Sequence, residues 1–120
     1  MRRCGCLLAS VLWLLAGACG AWADPNYPNR AIRVLIPYAP GGLTDVVARH
    51  YAEHLRKSLG QNVIVDDKPG GGTAVGTEFV ARAPADGHTL LLMGPSFTIN
   101  LFARSKLPYD TQREFTGVAR

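Results

Sequence analysis

Cysteine is missing from most of the sequence, because Cys4, Cys6 and Cys19 all lie within the first 19 of its 120 residues. Disulfide bonds therefore cannot stabilise the remainder of the chain, even in an oxidising compartment. A long hydrophobic run is missing as well. The apolar stretch at residues 7–15 is shorter than the roughly 20 residues that span a bilayer.

A strong excess of one charge is also missing. The formal net charge is +4, and two of the positive charges belong to Arg2 and Arg3 at the N-terminus. Without them, 11 basic and 9 acidic side chains remain. This balance argues against nucleic acid as a partner.

Motifs of nucleotide binding and of nucleophilic catalysis are not found. No Gly-Lys-Ser/Thr follows either glycine-rich turn, and Val75 occupies the position where the dinucleotide fingerprint needs a third glycine. Ser96 lacks the second glycine of a nucleophile elbow, and His88 lies in a separate turn. With no general acid–base pair either, the sequence predicts neither enzyme activity nor a cofactor.

The N-terminus has the pattern of an export signal. A basic start with Arg2 and Arg3 precedes the apolar stretch, and Ala21-Trp22-Ala23 is a small-x-small cleavage pattern. We therefore predict a signal peptide at residues 1–23, cleavage after Ala23 and a mature periplasmic chain of residues 24–120. Lipidation at Cys19, which also follows small residues, is the alternative.

The remaining pattern alternates strands and helices in the order β-α-β-α-β. The predicted elements are a strand at 32–36, a helix from Thr44 or Asp45 to Leu59, a strand at 63–65, a helix at 73–83, a strand at 89–93, a turn at 94–100 and a capped turn at Thr111 to Glu114. This order favours a parallel sheet with flanking helices. The third strand is apolar on both faces and is predicted to be central.

The first helix carries one apolar stripe, and its C-terminus carries a glycine. Val47, Tyr51, Leu55 and Leu59 recur at every fourth residue, with Ala48 and Ala52 beside them. Gly60 follows directly, at the position where a left-handed residue ends many helices.

The turn after the first strand, Pro37 to Asp45, is the main functional signal. A glycine turn that leads into a helix points backbone N–H groups outward at the positive end of the helix dipole, which favours an anion such as a carboxylate or phosphate. Residues 38–45 contain no Arg or Lys, so backbone donors at Gly41 and Gly42 and water would hold the ligand. We expect Asp45 either to complement the dipole or to hold the turn by accepting its N–H groups. A side chain at Gly42 should block the ligand and oppose a positive φ.

His50-Tyr51-Ala52-Glu53-His54 matches the inverted zinc-protease signature. A helix places both imidazoles on one face, but a catalytic zinc needs a third protein ligand and no partner motif is found. A secreted metal-dependent hydrolase that uses His50, Glu53 and His54 is nevertheless an alternative function. The simpler interpretation is two histidines on a solvated helix flank.

The ordered motifs resemble a known family. They are Tyr27-Pro28-x-Arg30-x-Ile32, Pro37-Tyr38-Ala39-Pro40-Gly41-Gly42-x-x-Asp45, Pro69-Gly70-x-Gly72, residues 78–83, Pro84-x-Asp86-Gly87-x-Thr89-Leu90, Leu107-Pro108-Tyr109-Asp110 and Phe115-Thr116. Together they are similar to the Bug-type extracytoplasmic solute receptors of tripartite tricarboxylate transporters, over essentially the whole mature chain.

The resemblance implies a two-lobed α/β binding protein that delivers a small carboxylate to the membrane subunits of such a transporter. It assigns ligand contacts to the first turn and, beside it, to the second and third turns: Tyr38, Ala39, Pro40, Gly41, Gly42, Asp45, Thr73, Ala74 and Ser96. Family members are about three times as long, so residues 24–120 are expected to form an incomplete first lobe without the second. A non-functional fragment is therefore a further alternative.

Overall fold

The computed structural model of the protein describes residues 25–118. The predicted signal peptide, its cleavage after Ala23 and the alternative lipidation site at Cys19 lie outside these residues. In chain order the elements are β1 (Ile32–Ile36), α1 (Leu43–Leu59), β2 (Val63–Asp67), a 3₁₀ turn (Gly71–Thr73), α2 (Ala74–Ala81), β3 (Thr89–Leu91) and α3 (Ser96–Ala103). Within the described residues, no helix is both long enough and apolar enough to cross a membrane.

The three strands form a parallel sheet in the order β2-β1-β3. Val34 is paired with Val65 on one side and with Leu90 on the other. The predicted parallel α/β sheet is therefore observed, but the prediction that the third strand is central is wrong. β1 is central, and β3 forms an edge of the described sheet with only half-buried residues.

The core is built around β1. Ile32, Leu35 and Ile36 are almost completely buried, whereas Arg33 is exposed. Burying each aliphatic side chain contributes roughly 1.5–3 kcal/mol relative to an exposed one. The central strand therefore anchors the turn that follows it, because that turn begins one residue after buried Ile36.

α1 packs on the sheet through the small residues of the predicted stripe and not through its larger ones. Ala48 and Ala52 are buried, whereas Tyr51 is 60% exposed and Val47 is 38% exposed. The alanines allow the helix to approach β1 and β2 closely, which rotates the larger side chains away from the sheet. The predicted C-terminus is confirmed, because Gly60 has a φ of 66° and its N–H donates to the Arg56 carbonyl at 3.1 Å.

α2 lies against β1 at a glycine. A Cβ at Gly76 would lie 2.7 Å from the Lys68 carbonyl oxygen and 2.9 Å from Pro37 Cβ, both closer than normal contact. The helix can pack here only because residue 76 has no side chain. It ends at Ala81, two residues before the predicted end.

The region after β3 was predicted least accurately. Residues 94–100 were predicted as a turn, but α3 occupies Ser96–Ala103. Further on, Asp110 rather than Thr111 caps the short turn. The Asp110 carboxylate accepts the N–H groups of Gln112 and Arg113, and Glu114 reaches back to the Asp110 N–H at 2.9 Å.

Candidate functional site

Three turns follow the carboxyl ends of the three strands, and two of them are hydrogen-bonded to the end of β1. We call residues 37–42, 68–73 and 92–95 the first, second and third turns. The Lys68 N–H donates to the Ile36 carbonyl at 2.7 Å, and the Leu92 N–H donates to the Leu35 carbonyl at 2.9 Å. The pairing of the strands therefore continues into the turns and aligns them along one edge of the sheet.

Tyr38 joins the first turn to the third. Its hydroxyl lies 2.9 Å from Ser96 Oγ and accepts the Gly94 N–H at 3.3 Å. Both Tyr38 and Ser96 are half-buried. Two of the predicted ligand residues, 58 positions apart in the chain, are thus in direct contact.

In the first turn, Gly41 and not Gly42 has the unusual backbone conformation. Gly41 has a φ of +81°, whereas Gly42 has a φ of −77° and a ψ of 170°, which any residue can adopt. The expectation of a positive φ at Gly42 is therefore wrong. The Gly41 N–H donates to Asp45 Oδ2 at 2.8 Å. This confirms the predicted role of Asp45 in holding the turn, and it also means that the Gly41 N–H is already occupied.

The backbone donors that remain belong to the next residues. Gly42 is the N-cap residue of α1, and it has no side chain that could accept the first N–H groups of the helix. Among residues 25–118, no protein acceptor is found for the N–H groups of Gly42, Leu43 and Thr44. These groups belong to the N-cap residue and to the first two residues of a 17-residue helix, at the end where the helix dipole is positive.

Arg49 links the first turn to the end of β2. Its Nε lies 2.6 Å from Asp45 Oδ1, and its second guanidinium nitrogen lies 3.0 Å from Asp67 Oδ2. The spacing of Asp45 and Arg49 is a normal i,i+4 pair that the sequence could have indicated. The participation of Asp67, from another element, carried no sequence signal.

The two carboxyl groups have opposite pKa shifts. The hydrogen bond from the Gly41 N–H lowers the pKa of Asp45 despite its burial, and Arg49 lowers it further. Burial raises the pKa of Asp67, and the negative charge of Asp45 raises it further, although Arg49 opposes this. Asp45 is therefore the stably ionised member of the pair.

The second turn has an extended left-handed backbone. Gly70, Gly71, Gly72 and Thr73 all have positive φ, and Thr73, at 77°, is the one non-glycine residue within 25–118 that does. The Thr73 carbonyl accepts the Thr77 hydroxyl at 2.8 Å. The Ala74 N–H donates to the Gly71 carbonyl, and both Thr73 and Ala74 are buried.

Asn100, on α3, is a residue of this region that sequence reasoning missed. Its Nδ2 lies 2.9 Å from the Gly72 carbonyl oxygen and 3.0 Å from Thr73 Oγ1. No sequence pattern marks it, because residues 94–100 were predicted as a turn and not as part of a helix.

Hydrogen bonds join four of the predicted ligand residues in two pairs, Tyr38 with Ser96 and Gly41 with Asp45. Thr73 ends the second turn, and Ala74 begins α2 directly after it. Ala39, Pro40, Gly41 and Gly42 are exposed. Within residues 25–118, no hydrogen bond joins Ala39–Gly42 to Thr73 or Ala74.

The histidine pair of α1 lies on the solvent side. The rings of His50 and His54 are exposed and pack edge to face, with centroids 4.7 Å apart. Glu53 instead pairs with Arg56 and Lys57, and the hydrogen bond from Arg56 lowers the pKa of Glu53. In the part of the chain that is described, no group of three or more His, Cys, Asp or Glu residues is placed to hold a metal ion.

A cavity of about 550 Å³ lies at the opposite edge of the sheet, where the strands begin. Its lining includes Arg30, Arg33 and Arg82. Each of these arginines already pairs with an acidic side chain, namely Asp86, Asp66 and Glu78 respectively. The cavity therefore offers less unpaired positive charge than its arginines suggest.

Known proteins share both the sequence and the fold. A family model described as "Tripartite tricarboxylate transporter family receptor" (TctC) matches residues 47–120. Protein BugT of Bordetella pertussis is 38% identical over 106 residues, which cover 87% of this chain and 32% of that protein. The chain spans 27–32% of the length of the first three curated relatives that it matches.

Two solved structures give the same result. The periplasmic binding protein BugD matches with a TM-score of 0.71 and 40% identity, over 74% of this chain and 30% of that one. MatC from Rhodopseudomonas palustris, solved with bound malate, matches with a TM-score of 0.71 and 35% identity, over 77% of this chain and 32% of that one. The predicted fold class, a periplasmic-binding-protein-like parallel sheet with flanking helices, is confirmed as a partial fold. The chain belongs to the tripartite tricarboxylate transporter receptor family.

Proposed function

We propose that the chain forms the carboxylate-capturing part of a periplasmic receptor that delivers its ligand to the membrane subunits of a tripartite tricarboxylate transporter. Membership of the receptor family supports this function, and the malate bound in MatC supports a small carboxylate as the ligand. The observation that carries the proposal is the edge of the sheet at which the three turns lie, with unused backbone N–H groups at the start of α1.

The ligand carboxylate would lie at the first turn. The N–H groups of Gly42, Leu43 and Thr44 are its donors, and water bridges the remaining distance. Gly41 and Asp45 act differently, because their hydrogen bond fixes the shape of the turn and leaves the Gly41 N–H no role as a donor. Ala39 and Pro40 line the approach, since both are exposed beside Gly41.

The second and third turns complete one side of the cleft. The hydroxyl groups of Tyr38 and Ser96 share one hydrogen bond, which uses one of their two protons. The other proton remains for donation to the ligand or to water. Thr73 and Ala74 contribute from the second turn. The other side of the cleft would come from a second lobe, in keeping with the greater length of the relatives. Residues 1–23 would serve as the export signal.

The competing function, a metal-dependent hydrolase, finds less support in the geometry. Its acid–base group, Glu53, is engaged by Arg56 and Lys57, and its two histidines are exposed on a helix flank. A receptor needs none of these groups. We therefore propose a binding protein without catalytic activity, and zinc-dependent hydrolysis that is lost in His54→Ala would contradict it.

The decisive experiment removes a single N–H group. Leu43 is the first residue of α1 and is 81% exposed, so proline is tolerated there, and Gly42 before it has the extended ψ that proline prefers. In the complete secreted protein, Leu43→Pro should weaken binding of malate at least tenfold, because one donor to a charged ligand is lost. Leu43→Ala is the matched control, since it removes the side chain and keeps the N–H.

Isothermal titration calorimetry with acetate, malate and citrate measures the affinities, and thermal unfolding checks the fold. Binding of none of these carboxylates by the parent protein would contradict the proposed function. Equal affinities of Leu43→Pro and Leu43→Ala would instead move the carboxylate away from the start of α1.

A further inference from the structure

Asn100 is buried although it is polar, and its amide connects two turns. It is 8% exposed and lies on α3, which follows the third turn. Its Nδ2 contacts two atoms of the second turn, the Gly72 carbonyl oxygen at 2.9 Å and Thr73 Oγ1 at 3.0 Å. Polar groups at this depth are normally retained only with their hydrogen bonds made.

The chemistry of these partners fixes the direction of both hydrogen bonds. A backbone carbonyl can only accept, so the amide atom facing Gly72 must be the nitrogen. That nitrogen carries two hydrogens, and the second one points to the Thr73 hydroxyl. The hydroxyl oxygen is therefore an acceptor, and its own proton must be donated elsewhere. No residue within 25–118 is found to accept it.

Thr73 is also held in a costly conformation. A left-handed backbone costs a non-glycine residue about 1–2 kcal/mol, and such residues persist where the surroundings hold them in place. Here the Thr77 hydroxyl binds the Thr73 carbonyl, and Asn100 binds the Thr73 side chain and the preceding carbonyl. Glycine would be free of this strain but would lack the hydroxyl. The strained threonine therefore points to a use for its hydroxyl.

We propose that Asn100 is a positioning residue of the carboxylate site, which holds the Thr73 hydroxyl so that its proton is donated to the ligand. This inference rests on the proposed function, because it requires a carboxylate at the three turns. Asn100 itself makes no ligand contact. Its effect reaches the ligand only through Thr73.

A double-mutant cycle in the complete secreted protein tests this, with malate as the probe. Asn100→Leu removes the amide at similar volume without adding charge, and Thr73→Val removes the hydroxyl at similar shape. Each should weaken malate affinity about tenfold, the value of one hydrogen bond to a charged group. The double variant should be no weaker than Thr73→Val alone. Asn62→Leu, at an exposed position before β2, is the matched control and should keep the parent affinity.

The outcomes separate the two proposals. If the parent protein binds none of the carboxylates, the proposed function fails. If the parent binds malate, two results would refute the role of Asn100 alone. Asn100→Leu could bind malate as tightly as the parent does, or it could weaken binding as much in the Thr73→Val background as in the parent. Should Asn100→Leu fail to fold, Thr73→Ser and Thr73→Val decide the question. Malate affinity that is retained in Thr73→Ser and lost in Thr73→Val supports the proposal. Equal affinities of the two variants overturn it.

Discussion

The first and second turns have similar glycine-rich sequences but are built differently. In the first turn only Gly41 has a positive φ, and the carboxylate that holds it, Asp45, lies four residues further along the chain. In the second turn, four consecutive residues from Gly70 to Thr73 have positive φ. The side chain that holds this turn, Asn100, lies 28 residues beyond Gly72.

This difference shows that a glycine turn can be stabilised locally or by the tertiary structure. The first turn can form together with α1, because the groups that define it are neighbours in sequence. The second turn needs α3 in place and needs α2 to approach β1 at Gly76. We therefore expect the second turn to be more sensitive to changes in packing and the first to be more sensitive to changes in its own residues.

The largest expected effect is at Gly76, which supports the second turn. Gly76→Ala would place a Cβ 2.7 Å from the Lys68 carbonyl oxygen, and backbone cannot move aside cheaply. We expect a loss of about 2 kcal/mol in the free energy of unfolding, as for other overpacked sites. At an exposed helix position the same change would instead stabilise by up to about 1 kcal/mol. Denaturant unfolding measures the sign, and a stabilised Gly76→Ala would show that α2 can shift away from β1.

The next effect is at Gly41, in the first turn. Gly41→Ala meets no steric contact, but its φ of +81° should cost about 1 kcal/mol of folding free energy. Gly42→Ala is the matched control, because its φ is −77° and the nearest atom to its Cβ is the Ala39 carbonyl oxygen at 3.5 Å. It should leave stability nearly unchanged. If the two variants unfolded at the same denaturant concentration, the turn would not have the backbone described for it.

A pH profile distinguishes the two carboxylates that share Arg49. Asp45 has a pKa below its ordinary value of 3.8, so its contribution to stability is present above that pH and is lost as the pH falls through the lower folded value. Asp67 has a raised pKa, so its ionisation opposes folding as the pH rises above 3.8.

Unfolding measured from pH 2 to pH 7 should therefore change in opposite ways in two variants. Asp45→Asn should flatten the loss of stability in acid below about pH 4, because the carboxylate responsible for part of that loss is gone. In the parent protein, ionisation of Asp67 should lower the free energy of unfolding just above pH 4, and Asp67→Asn should remove this decline. The stability of the variant relative to the parent should therefore increase as the pH rises. Profiles that change in the same direction would contradict the opposite pKa shifts of Asp45 and Asp67.

The sequence predicted those features whose causes are local. The bounds of β1 follow from a β-branched run that ends at Pro37, and the end of α1 follows from Gly60. The contact between Asp45 and the Gly41 N–H spans four residues and was among the expectations. The order of elements was also sufficient to place the three turns along one edge of a parallel sheet.

The features that the sequence did not predict depend on distant contacts. α3 was missed because Gly94-Pro95 is typical of a turn and because the usual pattern of a helix is reversed. Asn100 is buried, whereas Ile99 and Phe102 are exposed. The apolar composition of β3 indicated a central strand. In the described sheet, however, β1 is the strand that has a neighbour on each side. The bonds of Tyr38 to Ser96 and of Asn100 to Thr73 join residues 58 and 27 positions apart, and no local pattern marks them.

The smallest expected effect is at Lys68, where the second turn begins. Its ammonium nitrogen lies 4.3 Å from the centre of the Phe79 ring, a cation–π contact worth about 0.5–1 kcal/mol. Lys68→Gln should lower the free energy of unfolding by that amount and should change malate affinity less than Leu43→Pro does, because the charge acts through the local field and not as a direct donor. Lys106→Gln, at an exposed position beyond α3, controls for the lost charge. A tenfold larger loss of affinity in Lys68→Gln than in Lys106→Gln would place the ammonium group against the ligand, and the second turn would then supply a cation that the first turn lacks.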